Sequence, residues 1–164
     1  MNNADTLIDQ LNLVPHPEGG FYRELHRSSH KVSSAALKGD RSAYTSIYYL
    51  LRENDFSAWH RITSDETWFF HAGSDLCIHT IETDQSVKSR FIGPSSACAF
   101  QLTIPANTWF AAELSDKQSY CLVSCVVAPG FEFTDFELGN KTDLYALAGQ
   151  NTKTLQFIES LTRY

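Results

Sequence analysis

Trp59-His60-Arg61-Ile62-Thr63-Ser64-Asp65-Glu66-Thr67-Trp68-Phe69-Phe70-His71-Ala72-Gly73 is the stretch on which the fold turns. Two short runs rich in aromatic and β-branched residues, 57–62 and 66–71, flank a polar break. Runs this short, bounded by turn residues, predict β-strands rather than helices. Working outward, the same signal recurs at 21–27, 42–52, 76–82, 87–92, 98–104, 109–114 and 119–127. In 98–104 the period is two. Cys98, Phe100, Leu102 and Ile104 fall on one face and Ala99, Gln101 and Thr103 on the other, as in a half-buried strand. Residues 28–40 are small and polar and predict a loop. Helices are expected only at the ends. Leu7, Ile8 and Leu11 form an apolar stripe in a first helix capped by Asn3 or Asp5. Leu155, Phe157, Ile158 and Leu161 form another within 152–164. Many short strands at near-regular spacing predict an all-β antiparallel sandwich or barrel. A small barrel can enclose one ligand.

The chain has 164 residues, with 13 Lys and Arg against 19 Asp and Glu, a formal charge of −6, and 13% aromatic residues. That length suits one domain, and the 43% hydrophobic content suffices for its core. A disordered chain and a disulfide miniprotein are excluded. The mild acidity and the lack of a basic cluster argue against a nucleic-acid partner. None of the four Cys stands in a CxxC pair. On one strand, Cys121 and Cys125 would lie roughly 13 Å apart at ~3.3 Å per residue, too far for a disulfide. Small buried thiols in a reducing compartment are expected. The first ten residues carry Asp5 and Asp9 and no apolar segment of a signal peptide. No run approaches the ~18 apolar residues of a membrane helix. A cytoplasmic protein without a membrane partner is therefore expected. No GxSxG, P-loop, GxGxxG or HExxH motif occurs, which removes the usual hydrolase, nucleotide and zincin readings.

The opening stretch resembles the first motif of the cupin superfamily, in which two His separated by one residue precede a Glu and then a Gly. His60, Glu66 and Gly73 match, but Ile62 stands at the second His position. In the second motif Pro105 matches, Asn107 takes the place of a Gly, and Phe110 takes the place of the last His. Two of the usual four metal ligands survive. Further strings narrow the resemblance to the cupin-5 family, a domain of unknown function. They are His16-Pro17-Glu18-Gly19-Gly20-Phe21-Tyr22-Arg23-Glu24, Arg41-Ser42-Ala43-Tyr44-Thr45, and Val127-Ala128-Pro129-Gly130-Phe131 through Phe136-Glu137-Leu138. The resemblance implies an RmlC-like double-stranded β-helix, or jelly-roll barrel, in a homodimer with a ligand-sized lumen. It implies a single cupin domain over 1–164, with a helix and turn over 1–20, a barrel over 21–138 and a helical C-terminal segment over 139–164. It implies no known reaction.

His60 and Glu66 are the leading catalytic candidates. A carboxylate can fix an imidazole's tautomer and raise its pKa, which suits proton transfer near neutral pH. The alternative is a buried His–Glu pair that only satisfies two polar groups. His71 is a third candidate, although strand parity sets it opposite Glu66 unless a bulge intervenes. Trp68 and Phe110 are expected in the pocket wall, and ordinary core packing is the competing role. A turn needs neither His nor Glu, so Glu18 is a site candidate beside Tyr22. Arg23 or Arg61 could hold a ligand carboxylate or phosphate, or merely form a surface ion pair. Tyr48 is a candidate pocket acid, with packing as its alternative.

No cofactor is expected, because His60 and Glu66 make only two metal ligands where a stable site needs three or four. Three functions remain open on the sequence. One is a metal-independent epimerase or isomerase acting on a sugar derivative or similar small molecule. Another is a non-catalytic ligand-binding or sensing cupin. The third is a metal-dependent cupin using His60, Glu66 and His71.

Overall fold

The computed structural model describes residues 3–33, 37 and 39–163. Its strands are β1 (Val14–Pro15), β2 (Phe21–Arg27), β3 (Lys31–Val32), β4 (Arg41–Ser42), β5 (Thr45–Arg52), β6 (Phe56–Ile62) and β7 (Asp65–Gly73), followed by β8 (Leu76–Ile81), β9 (Val87–Ile92), β10 (Gln101–Ile104), β11 (Phe110–Leu114), β12 (Tyr120–Ala128) and β13 (Phe136–Leu138). Helix α1 (Asn3–Leu11) precedes them, and α2 (Lys141–Ala148) and α3 (Thr152–Leu161) follow. All named strand pairs are antiparallel. They form a six-stranded sheet, β1-β2-β5-β12-β7-β10, a five-stranded sheet, β13-β6-β11-β8-β9, and the small pair β3-β4. The two large sheets pack face to face as a cupin jelly roll.

The alternation of side chains decides what goes where. In β5, Tyr49 and Leu51 join the core between the sheets, with Ile47 packed against it, while Tyr48 and Leu50 turn outward toward α1. Both faces of this strand are covered, so its sequence reads as a continuous apolar run instead of a clean alternation. The same reason explains β8, whose six residues are all buried. Leu76 and Ile78 point into the inter-sheet core, and Ile81 packs with Leu144, Ala148, Ile158 and Leu161 of the C-terminal helices. Each fully buried Leu, Ile or Phe side chain contributes ~1.5–3 kcal/mol. These two apolar layers therefore clamp the five-stranded sheet firmly in place.

Several expectations change. Helix α1 begins at Asn3, so Asp5 lies within its first turn and pairs with Arg52 rather than capping the helix. The strand expected over 98–104 is reduced to Gln101–Ile104, and Phe100 is 72% exposed. The loop expected over 28–40 contains β3, paired with β4, while its residues 34–36 and 38 lie outside the described residues. Residue 164, the end of the expected terminal helix, also lies outside them. Strands β1 and β13 are too short to show a period. Helix α2 escaped notice because only Leu144 and Ala148 of its residues are buried, which leaves no apolar stripe. Its N-terminus is held by Asn140, whose side chain accepts a hydrogen bond from the Asp143 amide at 3.0 Å. All four Cys are free. Cys77, Cys121 and Cys125 are buried and Cys98 is partly so.

Candidate functional site

The turn at His16-Pro17-Glu18-Gly19-Gly20 builds one wall of the site. His16 N–H donates to the Gly20 carbonyl and Gly19 N–H to the His16 carbonyl, each at 3.0 Å. Gly19 has φ +119°, and a Cβ there would stand 2.1 Å from the Phe56 carbonyl oxygen. Only glycine fits this approach. The turn is pinned from three elements. The Ala58 amide donates to the Glu18 carbonyl at 2.9 Å, Arg163 Nε donates to the same carbonyl at 3.0 Å, and Tyr49 Oη donates to the Gly19 carbonyl at 2.7 Å. Glu18 is thereby pressed, 5% exposed, between the two sheets.

Its carboxyl group meets a chain of polar side chains. Oε1 accepts from Ser57 Oγ at 2.9 Å, and Oε2 lies 3.1 Å from His60 Nε2. His60 Nδ1 lies 2.8 Å from the Ala58 carbonyl, which can only accept, so Nδ1 carries a proton. Burial pushes the Glu18 carboxyl up and the His60 imidazole down, each toward its neutral form. The neutral forms of the two groups are complementary, since a protonated Glu18 donates to the unprotonated Nε2. His16 Nδ1 accepts from the Glu18 amide at 3.3 Å, which marks a neutral ring, and burial lowers its pKa as well.

Glu66, on β7, is the second buried acid. Burial, reinforced by the nearby Glu18, raises its pKa to about 8. The neighbouring Trp68 indole and Cys125 thiol oppose that rise. Trp68 Nε1 nevertheless is buried with no acceptor in hydrogen-bonding geometry. At neutral pH Glu66 thus keeps its proton while facing a cavity, the arrangement of a carboxylic acid that can donate.

The cavity measures about 290 Å³ and lies toward the β2 and β13 edges of the two sheets. His16, Glu18, Tyr49, His60 and Glu66 line its polar side. Trp68, Phe131, Phe133 and Phe136 supply aromatic walls, and the last three rings meet edge-on. At the mouth, Arg27 binds Glu24 at 2.8 Å and Glu132 at 2.7 Å. Arg23 also lines it and donates to the Leu11 carbonyl at 3.1 Å.

Of the candidates read from sequence, His60, Glu66, Glu18, Tyr22, Arg23 and Trp68 line this one cavity. The others are elsewhere. A bulge does fall at His71, since Val123 pairs with Phe70 and Leu122 with Ala72. Its ring nevertheless projects outward, where it is exposed, bonds Ser124 Oγ at 2.9 Å and meets Tyr48 edge-on. Tyr48 is on that same outer face because it alternates with Tyr49. Arg61 points away, paired with Glu137 at 2.7 Å and stacked over Trp109. Phe110 is fully buried behind His60, with ring centroids 4.0 Å apart, and supports that imidazole without lining the cavity. Sequence reasoning passed over His16, Tyr49, Ser57, Arg27 and the 131–136 aromatics. The string around Glu18 and the spacing of Tyr49 from Thr45 and Ile47 were the signals for two of them.

A jelly roll with a ligand-sized cavity between its sheets is, as a class, a small-molecule-binding cupin. The chain belongs to the cupin-5 family of the cupin superfamily (DUF985), whose model matches residues 5–139. It is similar to the crystal structure of protein SO0799 from Shewanella oneidensis, with 35% identity, a TM-score of 0.87 and 99% of each chain covered. A hypothetical protein from Leishmania major has 36% identity and a TM-score of 0.87 over 98% of this chain and 99% of that one. The uncharacterized protein YML079W of Saccharomyces cerevisiae is 26% identical over 149 residues, 82% of this chain and 74% of its own.

Metal-binding cupins use four side-chain ligands, and this donor set does not fit. Ile62 and Phe110 are apolar and buried at two of those positions. Among the described residues no group of three or more His, Cys, Asp or Glu is arranged to hold a metal ion. No helix among them is long and apolar enough to cross a membrane.

Proposed function

We propose that this cupin catalyses a proton transfer within a small molecule, as an isomerisation or epimerisation, without a metal. The observation that carries the reading is the 3.1 Å contact between His60 Nε2 and Glu18 Oε2, on the cavity that Glu66 also lines. Transient passage of a Glu18 proton to Nε2 leaves Glu18 a carboxylate base beside an imidazolium that the buried site does not hold at rest. Glu18 then takes a proton from the ligand. Glu66 gives one back at a second atom or at the other face, and the two acids re-equilibrate through solvent. The two carboxyl groups, whose pKa values burial raises, suit the two halves of this exchange. His16, Ser57 and Tyr49 hold Glu18 and its turn in position.

The apolar residues Ile62 and Phe110 favour a second reading, a cupin that binds its ligand without chemistry. One experiment separates the two. The protein is incubated with a small-molecule cell extract in D2O, and deuterium uptake is followed by mass spectrometry. Uptake into particular metabolites, lost in both Glu18→Gln and Glu66→Gln, is the expected result. Uptake that persists in both variants overturns the residue assignment. Metabolites retained by the protein without any uptake establish the binding reading instead.

A further inference from the structure

A second cluster of polar groups lies on the outer face of the five-stranded sheet, toward β9, the edge opposite β13. In an antiparallel ladder opposite residues share a face and alternate between hydrogen-bonded and non-hydrogen-bonded pairs. The Glu82 amide donates to the Ser86 carbonyl at 2.8 Å and closes the β8–β9 hairpin. By alternation, Ile81 with Val87 and His79 with Ser89 are then non-hydrogen-bonded pairs. Side chains stand closest at such pairs, and Ser89 Oγ lies 2.8 Å from His79 Nδ1. Glu113, on β11, reaches the same imidazole from the other side, its Oε1 3.2 Å from Nε2.

The protonation of these groups follows. The His79 hydrogen bond and Lys117 lower the Glu113 pKa to about 2, so its carboxylate only accepts. Nε2 is then the protonated nitrogen, and the bare Nδ1 accepts from the Ser89 hydroxyl. A hydroxyl, an imidazole and a carboxylate are thereby joined in the order of nucleophile, base and orienting group. Cys77 Sγ lies 3.8 Å from the same Nδ1, but it is buried, and burial raises its thiol to about 11. Ser89 is exposed, whereas His79 is 4% exposed beneath Phe157 of α3, with ring centroids 4.7 Å apart.

The sheet edge adds a further donor. The Phe91 carbonyl is turned away from β8 and accepts from the Ala99 amide at 3.0 Å. Ser89, two residues earlier, turns its amide the same way, and no acceptor meets it among the described residues. A nucleophilic serine's own amide is one of the donors that stabilise the oxyanion of acyl transfer. Phe91, 44% exposed on the same face as Ser89, offers apolar surface beside the hydroxyl.

We propose that Ser89 is an activated nucleophile that takes an acyl group from a reactive ester with a small apolar body, with His79 as its base and Glu113 as a positioning residue. Oγ bonds to the acyl carbon while its proton passes to Nδ1. The bond from that carbon to the leaving oxygen then breaks, and the proton goes to the leaving oxygen. The acyl group remains on Oγ as an ester. This site shares no residue with the cavity, so its test does not bear on the proton-transfer reading.

The probe is p-nitrophenyl acetate with the full chain, followed by nitrophenolate release and by mass spectrometry of the digested protein. A burst that leaves acetyl on Ser89 is expected. Ser124 is the internal comparison. It bonds His71 Nε2 at 2.9 Å, but that imidazole has no carboxylate partner among the described residues. Ser89 should be acetylated at least about 10²-fold faster than Ser124, the lower range of general-base catalysis. No burst, or acetylation of Ser89 no faster than Ser124, overturns the proposal. So does a burst that survives in Ser89→Ala. His79→Gln should slow acetylation about 10²-fold or more, and an unchanged rate in the folded variant overturns the base assignment. Should His79→Gln fail to fold, which a circular dichroism melt reports, Ser89→Ala still decides, because its side chain is exposed. The groups facing His79 are Cys77, Ser89, Glu113 with Lys117 behind it, and Phe157. Glu113→Gln removes the anion that favours the imidazolium. The midpoint of the acetylation rate against pH should therefore move lower, and an unmoved midpoint overturns the positioning role.

Discussion

Glu18 and His60 come from separate elements, and their side chains meet at 3.1 Å between Oε2 and Nε2. The turn that carries Glu18 follows helix α1 and β1, whereas His60 sits in the middle of β6. Nδ1 of the imidazole is committed to the Ala58 carbonyl, so Nε2 is the nitrogen left to exchange a proton with the carboxyl. Glu18→Gln keeps the size and the bond to Ser57 but cannot take up a proton. Turnover is expected to fall by about 10²–10⁴-fold, with ligand binding little changed. Steady-state kinetics on the substrate found by deuterium uptake measure this.

The raised pKa of Glu66 makes stability depend on pH. The folded state holds this proton up to about pH 8, while the unfolded chain releases it near 4.5. Between those values the folded state binds more protons, so Glu66 makes stability fall as pH rises. Glu66→Gln removes the titration. Urea melts across this window are expected to show a flatter pH dependence in the variant, and greater stability than wild type at pH 8.

Glu113, on the outer face of β11, behaves in the opposite sense. The hydrogen bond from His79 Nε2 at 3.2 Å, together with Lys117 at 2.7 Å, lowers its pKa to about 2. Its contribution is present above pH 4.5 and is lost as pH falls toward 2. Glu113→Gln should lose stability at pH 7 and show a smaller further loss on acidification. Thermal melts between pH 7 and pH 3 check both points.

Arg163 reaches from beyond α3 to the turn that holds Glu18. Its Nε binds the Glu18 carbonyl, its second terminal nitrogen binds the Phe56 carbonyl at 3.1 Å, and its guanidinium lies 4.4 Å from the Phe56 ring centroid. Arg163→Ala is expected to cost about 1–3 kcal/mol in global stability. Turnover should drop, because Glu18 loses part of its support. Arg163→Lys keeps the charge but not the fork, and should recover only part of either loss. Chemical denaturation beside kinetics separates the two effects.

The turn itself tolerates little change. Alanine at position 19 would require positive φ and would place its Cβ against the Phe56 carbonyl oxygen. Gly19→Ala is expected to destabilise by more than about 1 kcal/mol. A circular dichroism melt reads that loss.

Much of this molecule was legible in particular residues. The alternation in β6 and the start of β7 set His60 with Ile62 and Glu66 with Trp68 on shared faces, and the His-Pro-Glu-Gly-Gly string pointed to Glu18. Parity failed at Tyr48 and Tyr49, because α1 covers the outer face of β5 and leaves both faces apolar. The resemblance misled over Phe110, which stands at a ligand position of other cupins but lies behind His60 rather than before the cavity. Arg61 and Arg23 look alike in sequence. Only the neighbouring Glu137 and Trp109 show that Arg61 is already occupied.

The sequence by itself determined the main strands, helices α1 and α3, the family and several of the groups around the cavity. Those follow from local period, turn chemistry and short strings, all of which are written along the chain. Tertiary structure alone decided that His60 is partnered by Glu18 and not by Glu66, and that Glu66 stands apart as a separate acid. The reason is physical. A strand period says which side a residue faces, but the partner of a buried charge and the shift of its pKa depend on distances across two sheets and on exclusion from water.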